Sequence, residues 1–392
     1  MKITMISNYI NHHQIPFSKE LYNRLGENYK FIQTQSMEEE RVAMGWKVKE
    51  EEIPYLLFLK KEEERCKYLI EESDILLIGW NEREDLFVNR LKGNKLTIRI
   101  SERIYREGQW KVISPRGLLR KYKEHIRYRN KPVYLLCAGG YVASDFSLIK
   151  AYPDKMFKFG YFPEFIPYTQ EELEKNHPWG NKKNEKEIQL VWAGRLIPLK
   201  HPEMAINLAH SLENKRYRFH LHMIGGGELE EELKQKVEKL HLKSRITIYG
   251  FCSPEEVRKV MEKSHIHLFT SNHLEGWGAV VNEAMNCGCV EVINSQVGAA
   301  PFLIEHNKNG LLYQDGSYED MERQVIYLLD HPQKSNKMSR SAYETIANQW
   351  NAREAVDRLF KFYEGWRIGE IRIPAQGPFS KADILPAPKI RK

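Results

Sequence analysis

Short apolar segments of β type alternate along the chain with segments of helical pattern, and this alternation restricts the fold more than any other feature. In the first half the apolar segments are KITMIS (2–7), YKFIQT (29–34), DILLIGW (74–80), KLTIRI (95–100) and VYLLCAG (133–139). Strands that are apolar on both faces are typical of a parallel sheet covered by helices. The first half is therefore predicted to form a doubly wound α/β domain.

The same alternation resumes after a break. Residues 167–186 (PYTQEELEKNHPWGNKKNEK) lose apolar periodicity and gain charge, Pro and Gly, which is the composition of an interdomain linker. The strand candidates beyond it are IQLVWAG (188–194), FHLHMIG (219–225), ITIYG (246–250), IHLFTS (266–271) and VEVINS (290–295), with helices expected near 201–214, 228–240, 254–263 and 279–287. Two Rossmann-like domains in series are predicted, and 392 residues suit that number.

Composition narrows the class of protein. With 42% hydrophobic residues the chain can fill two cores, which excludes disorder. The start MKITMISNYI does not have the apolar segment of a secretory signal, and no stretch of about 18 apolar residues is present. Five scattered cysteines without a C-x-x-C pair indicate reduced thiols. A cytoplasmic protein is expected.

The loops that follow the strands carry the candidate chemistry, since doubly wound domains bind nucleotides at the carboxyl ends of their strands. The first loop, NYINHHQIP, is not G-x-G-x-x-G, which argues against a nicotinamide or flavin dehydrogenase. In the second half, strand IQLVWAG continues into Gly194–Lys200, a loop that contains Arg195 and Lys200. Two fixed cations beside backbone amides suit a diphosphate.

A second candidate element is LFTSNHLEGWGAVVNEAMNCG (268–288). Glu275 and Glu283 are separated by seven residues, with Gly276 and Gly278 between them, and the pattern predicts a strand, a loop and a helix that carries Glu283 in its first turns. Glycines let a backbone approach a ligand, and helix-start amides favour anions. A carboxylate nearby is suited to accept hydrogen bonds from the hydroxyls of a ribose or a sugar.

Residues 191–313 together resemble the donor-binding domain of the glycosyltransferase family 4 enzymes. The elements that carry the resemblance are the GRL…K loop, MIGGGELEEEL (223–233), YGFCSPEEV (249–257), the E-x7-E element, Gly298 in QVGAAPFLI, and NGLLY (309–313). The resemblance implies a GT-B fold, in which two Rossmann-like doubly wound domains face each other across a cleft. It also implies transfer of a sugar from a nucleotide-diphosphate-sugar to an acceptor with retention of anomeric configuration, without a protein nucleophile.

The sequence pattern gives the domain boundaries, and the resemblance implies the roles of the domains and the crossing of the last helix. The predicted regions are an acceptor-side domain (1–166), the linker (167–186), a donor-binding domain (187–345), a C-terminal helix that crosses back to the N-terminal domain (346–367), and a tail that is poorly ordered or extended (368–392).

Site roles carried over in the same way assign Arg195 and Lys200 to the donor diphosphate, Glu283 to the ribose, and Glu275 to the transferred sugar or the reacting centre. Arg195, Lys200 and Glu275 form the predicted catalytic set. The predicted substrate-binding set adds Gly194 to Glu283, together with Gly276, Trp277 and Gly278, whose backbone is expected near the sugar. The glycines at 225–227 are interpreted as a turn that caps a strand.

The N-terminal half departs from the family pattern. Where many relatives have a Gly-Gly loop after the first strand, this chain has His12 and His13, which are predicted to donate hydrogen bonds to the donor phosphates. Where many have a histidine after the fourth strand, this chain has Glu102, a further predicted substrate contact. Glu102 and Arg103 could equally be a local ion pair.

Partners and alternatives complete the predictions. The chain has no Asp-x-Asp, so neither a metal nor a cofactor is expected besides the donor substrate itself. The acceptor is expected to be a glycan or a lipid-linked molecule. Residues 116–131 hold seven Lys or Arg and one acid, and either contact an anionic leaflet at the inner face of the plasma membrane or form an ordinary solvated face. A nucleotide-sugar epimerase or hydrolase of the same fold remains the enzymatic alternative, and a nucleic-acid-binding protein the non-enzymatic one, although no nucleic-acid motif is present.

Overall fold

The computed structural model describes residues 1–38, 48–177, 179 and 186–388. The chain divides into two compact units, of which the first contains Met1–Glu164 together with the segment that begins at Asn351, and the second contains Phe165–Trp350. Each unit is built around its own parallel sheet. The prediction of two doubly wound α/β domains is therefore confirmed.

The first sheet has the strand order β3-β2-β1-β4-β5-β6-β7 in the described residues, and each neighbouring pair is parallel. Its strands are β1 (Ile3–Ser7), β2 (Tyr29–Gln33), β3 (Leu56–Phe58), β4 (Ile75–Ile78), β5 (Leu96–Ser101), β6 (Val133–Ala138) and β7 (Met156–Phe159). The chain order reverses between β1 and β4. In such sheets the ligand crevice opens at the carboxyl ends of the strands at this reversal.

The second sheet has the order β10-β9-β8-β11-β12-β13, again with parallel neighbours. Its strands are β8 (Ile188–Ala193), β9 (Phe219–Ile224), β10 (Ile246–Ile248), β11 (Ile266–Phe269), β12 (Val290–Asn294) and β13 (Gly310–Tyr313). Here the order reverses between β8 and β11, so the loops after these two strands leave the sheet side by side.

Helices cover the sheets. Those of the first unit are α1 (Ile15–Leu25), α2 (Glu63–Glu72), α3 (Val88–Lys92), α4 (Pro115–Glu124), α5 (Val142–Leu148) and α14 (Ala352–Ile368). Those of the second unit are α6 (Gln170–Asn176), α7 (Pro202–Asn214), α8 (Glu230–Lys239), α9 (Pro254–Met261), α10 (Ala279–Asn286), α11 (Ala300–Leu303), α12 (Tyr318–Asp330) and α13 (Pro332–Asn348). No helix in the part of the chain described here is both long and apolar enough to span a bilayer.

The predicted linker contains regular structure. Thr169 and Glu172 form a capping box that starts α6, in which each side chain accepts a hydrogen bond from the other's backbone N–H. Leu173 of this helix is buried in the second unit. Residues 178 and 180–185 of the predicted linker lie outside the described residues.

The last helix and the tail belong to the first unit. Asp357 of α14 forms an ion pair with Arg24 of α1. Beyond the helix the tail pairs antiparallel with β7: the Phe379 N–H donates to the Lys158 carbonyl (2.8 Å) and the Lys158 N–H to the Ser380 carbonyl (2.7 Å). The tail thus covers a sheet edge that would otherwise expose unpaired backbone groups. Its described part bends and turns at 375–380, and residues 389–392 lie outside the description.

Candidate active site

Two loops meet at the reversal point of the second sheet, Gly194–Lys200 after β8 and Thr270–Gly278 after β11. The Thr270 hydroxyl donates a hydrogen bond to the Lys200 carbonyl (2.6 Å) and accepts one from the Trp192 indole N–H (2.8 Å). The Asn272 N–H donates to the Leu199 carbonyl (3.3 Å). These bonds fix the position of Lys200 relative to the second loop. The roles of Thr270 and Asn272 were not predicted, because no motif of the sequence marks them.

Lys200 and Glu275 form an ion pair between the two loops. Both side chains are partly exposed, and the Lys200 ammonium lies 5.3 Å from the centroid of the Phe269 ring. Arg195 is exposed on the same loop as Lys200. The structure therefore brings together two of the three residues predicted as catalytic, at an edge where a ligand can reach them.

The glycines at 225 and 227 are required by packing against the loop after β8. A Cβ on Gly225 would lie 1.8 Å from the Gly194 carbonyl oxygen, and one on Gly227 would lie 2.5 Å from the Leu196 carbonyl oxygen. Both glycines have a positive φ. The Leu196 N–H donates to the Gly226 carbonyl (2.9 Å). This turn supports the loop that carries Arg195 and Lys200.

The loop that carries Glu275 is supported in a similar way by Gly298. A Cβ on Gly298 would lie 1.7 Å from the Gly276 carbonyl oxygen, and the Gly298 N–H donates to the Glu275 carbonyl (3.2 Å). Gly278 has φ +94°, and a Cβ there would meet the Phe269 ring at 2.6 Å. Close backbone approach, together with the left-handed conformation at Gly278, explains why glycine occupies these positions.

The side chain of Trp277 is buried in the second unit. Its side chain is only 1% exposed, and its indole N–H, the one polar group it has, donates to the Asn282 side chain (2.9 Å). Its ring packs against Trp350, with centroids 5.8 Å apart. The side chain is therefore enclosed within the unit and already bonded, which leaves the backbone of residue 277 for the predicted contact with the sugar.

Glu283 lies on α10, which begins after Gly278. The residue is only partly exposed, and desolvation raises the pKa of its carboxyl to about 7, against the opposing effect of Arg258 and of the buried His267. Among the described residues its carboxyl has no hydrogen-bond partner. An accessible, desolvated and unbonded carboxyl is suited to accept hydrogen bonds from a ligand.

In the first unit, the predicted residues His12, His13 and Glu102 lie on loops that follow β1 and β5, and Tyr161 after β7 contacts them. His12 and His13 follow β1, with ring centroids 3.8 Å apart, and His13 lies 6.0 Å from the ring of Tyr161. The Tyr161 hydroxyl donates to the Glu102 carboxylate (2.8 Å), just after β5. Burial lowers the pKa of His12, which keeps the imidazole neutral near pH 7. Tyr161 follows a strand that the sequence pattern missed, so it was not predicted.

The alternative prediction, a local ion pair between Glu102 and Arg103, is wrong, because each residue pairs with another partner. Glu102 pairs with Arg106, whereas Arg103 is buried and forms a bidentate pair with Asp145 (3.0 and 3.2 Å). Arg103 therefore stabilises the interior of the unit, while Glu102 stays at the loop surface. No group of three or more His, Cys, Asp or Glu side chains within the described ranges is arranged to hold a metal ion.

The fold is that of solved GT-B glycosyltransferases. The structure of Anabaena Alr3699/HepE in complex with UDP superposes with a TM-score of 0.65 and 14% sequence identity, covering 92% of this chain and 99% of that one. An identity this low supports similarity of fold only.

Residues 174–345 match the family model described as glycosyl transferases group 1. A segment of 141 residues is 29% identical to the N-acetyl-alpha-D-glucosaminyl L-malate synthase of Bacillus anthracis, covering 36% of each chain. Another of 182 residues is 25% identical to the amylovoran biosynthesis glycosyltransferase AmsK of Erwinia amylovora, covering 45% of this chain and 44% of that protein. The chain thus spans less than half the length of these curated relatives. The matched residues include the loops after β8 and β11 and helix α10.

Proposed function

We propose that this protein is a retaining glycosyltransferase of family 4 that moves a sugar from a nucleotide-diphosphate-sugar to a glycan or lipid-linked acceptor, in the biosynthesis of a cell-surface polysaccharide or glycolipid. The observation that carries the proposal is the ion pair of Lys200 and Glu275, which joins the loops after β8 and β11 at the reversal point of the second sheet. Helix α10, which carries Glu283, begins directly after the second of these loops. The group 1 family model over the same residues supports it, as does the glycosyltransferase activity named for the relatives.

In the proposed reaction, Lys200 and Arg195 neutralise the charge that develops on the departing diphosphate. The Lys200 ammonium has three N–H donors, so it can keep its bond to Glu275 and also donate to a phosphate oxygen. Glu275 would then accept hydrogen bonds from the transferred sugar while tied to the cation that holds the leaving group. This arrangement would couple the position of the sugar to that of the diphosphate.

Glu283 would bind the ribose of the donor. Its carboxyl has no internal hydrogen bond to give up among the described residues. Two vicinal hydroxyls would give it two charge-assisted bonds, and such bonds recover part of the desolvation that raises its pKa. In the first unit, neutral His12 and the Tyr161–Glu102 pair are proposed to serve the donor phosphates and the acceptor, respectively.

The proposal is tested by a thermal-shift screen against nucleoside diphosphates and nucleotide sugars, because a ligand that binds only the folded state raises its stability. The stabilising nucleotide sugar is then incubated with candidate acceptors in the presence of EDTA, and the products are separated. A glycosylated acceptor with unchanged anomeric configuration supports the proposal. Release of free sugar and nucleotide alone, at the same rate with and without acceptor, would instead identify the epimerase or hydrolase alternative.

A further inference from the structure

Helix α4 exposes its apolar side chains, while two of its charged side chains are turned inward. Leu118, Leu119 and Tyr122 are exposed, whereas the side chains of Lys121 and Glu124 retain only 18% and 14% of their accessible surface. A helix packed on a water-soluble domain normally shows the opposite pattern, with its apolar stripe toward the core. The helix forms nonetheless, because Ser114 caps its first turn and Pro115 occupies its first position.

The turn before the helix extends this apolar surface. Trp110 is 66% exposed and Ile113 is 79% exposed, both within the turn Gln109–Ile113. Together with the three helical residues they form what we call the apolar strip: Trp110, Ile113, Leu118, Leu119 and Tyr122. Single exposed apolar residues are ordinary, but five within 13 positions of one turn and helix mark an interaction surface.

Cations follow one side of the helix beside the apolar strip. Arg116, Arg120, Lys123 and Arg127 recur at helical spacing and line a cavity of about 450 Å³, which also has three acidic residues in its wall. Arg116 and Lys123 have no carboxylate partner among the described residues.

The acidic groups of the cavity are already paired. Glu84 binds Arg99 (2.7 Å) and Asp85 binds Arg83 (2.9 Å), while Glu124 binds Arg120. The surface beside the apolar strip therefore carries net positive charge that the protein itself does not neutralise.

We propose that the apolar strip and its flanking cations bind an anionic lipid bilayer. Arginine and lysine near such a surface are attracted by its negative potential, and Trp and Tyr are favoured at the boundary between headgroups and acyl chains. The leucines and the isoleucine can enter that boundary as the apolar face of an interfacial helix. A second copy of the chain is a poorer occupant, since a two-fold interface through the apolar strip would bring its flanking cations close to those of the other copy.

The test is co-sedimentation with vesicles and needs no glycosyl transfer. The full chain is mixed with vesicles of phosphatidylcholine, or of phosphatidylcholine and phosphatidylglycerol in equal amounts, at low and high salt. Binding is expected only to the anionic vesicles and should weaken with salt. Combined Arg116→Gln and Lys123→Gln should lower the affinity by about 30-fold, since each cation near the surface contributes roughly a factor of five.

Matched variants distinguish binding by this surface from nonspecific adsorption to vesicles. The triple variant Leu118→Ser, Leu119→Ser, Tyr122→Ser should lose binding, whereas Tyr68→Ser, an exposed aromatic on α2, should bind as the parent does. The charge control replaces Lys60 and Arg353 by Gln, two exposed cations elsewhere in the same unit. Equal binding by all variants, or equal binding to neutral vesicles, would overturn the proposal. So would absence of vesicle binding with concentration-dependent self-association that the triple variant abolishes, because the surface would then be a protein interface.

Discussion

Lys200 and Glu275 lie 75 positions apart in the sequence and form an ion pair across the loops after β8 and β11. Each residue was predicted from a separate motif, and the structure joins them in one ion pair. The carboxylate orients the ammonium, and the hydrogen bonds of Thr270 and Asn272 hold the backbone of both loops. A ligand that binds one of these side chains must therefore affect the other.

Replacing Lys200 or Arg195 by Ala should lower the rate of transfer by about 100-fold each, because a preorganised cation is lost where charge builds on the leaving group. Single-turnover rates with the stabilising nucleotide sugar measure this. Lys263→Ala, an exposed cation of the same unit, is the control and should transfer at the parental rate. Near-normal turnover in both variants would refute the phosphate assignment.

A double-mutant cycle tests whether the ion pair acts as a unit. If Lys200 positions Glu275, then Glu275→Gln combined with Lys200→Ala should lose little more activity than the worse single variant. Fully additive losses would mean that the two side chains contribute independently, and that their contact in the unliganded protein has no role in transfer.

Glu283→Gln should weaken donor binding by roughly tenfold, since a charge-assisted hydrogen bond contributes about 1.4 kcal/mol more than a neutral one. Because the pKa of the carboxyl is about 7, the parent should bind its donor more tightly as pH rises through 7, when the carboxylate forms. A nucleotide sugar is the right probe, since its esterified diphosphate does not titrate in this range. Calorimetric titration between pH 6 and 8 is the measurement.

The variant should abolish this pH dependence and the preference for ribose over 2′-deoxyribose. The donor affinity of Glu283→Gln should be the same at every pH between about 6 and 8. If Glu283→Gln binds the donor as tightly as the parent and still prefers ribose, Glu283 has a structural role only.

The same pKa makes a prediction about stability without ligand. The folded pKa of about 7 lies above the ordinary value of 4.5, so the folded state holds a proton that the unfolded state has lost between these values. Stability therefore falls as pH rises from 4.5 to 7. Glu283→Gln should raise the free energy of unfolding at pH 8 by on the order of 2 kcal/mol and leave it unchanged at pH 4. Denaturant titrations at the two pH values check the sign, and a loss of stability at pH 8 would contradict it.

Two adjacent glycines provide a matched pair for the loop after β8. Gly225→Ala would place a Cβ 1.8 Å from the Gly194 carbonyl and should shift the loop, with a large fall in transfer and in thermal stability. At Gly226 a Cβ meets atoms no closer than 3.5 Å, so Gly226→Ala should keep most of both. Thermal melts and transfer rates of the two variants are compared. Equal effects would show that the close approach does not position the loop.

The interior strands could be predicted because their signal is local. β1, β4, β8 and β11 are apolar on both faces, and the loops after them necessarily share the carboxyl edge of their sheets. β3, β7 and β13 were missed: they have three, four and four residues, and each is the outermost strand at one end of its sheet.

Pairing between distant residues could not be predicted. Trp277 stands in a glycine loop that the sequence assigns to the ligand, but its burial depends on Trp350 and on Asn282, which only the folded chain brings to it. Arg103 likewise finds Asp145 rather than its sequence neighbour Glu102. The sequence thus identifies which loops carry the chemistry, and tertiary packing decides which of their side chains remain available.

The antiparallel pairing of the tail with β7 has a consequence for synthesis on the ribosome. The first unit needs α14 against α1 and residues 379–382 along its edge strand, yet these emerge only after the whole second unit has been translated. Domains usually complete folding in the order of their synthesis. Here the edge of the N-terminal sheet stays unpaired until the tail has been translated. The C-terminal unit is continuous in sequence and can complete its folding first.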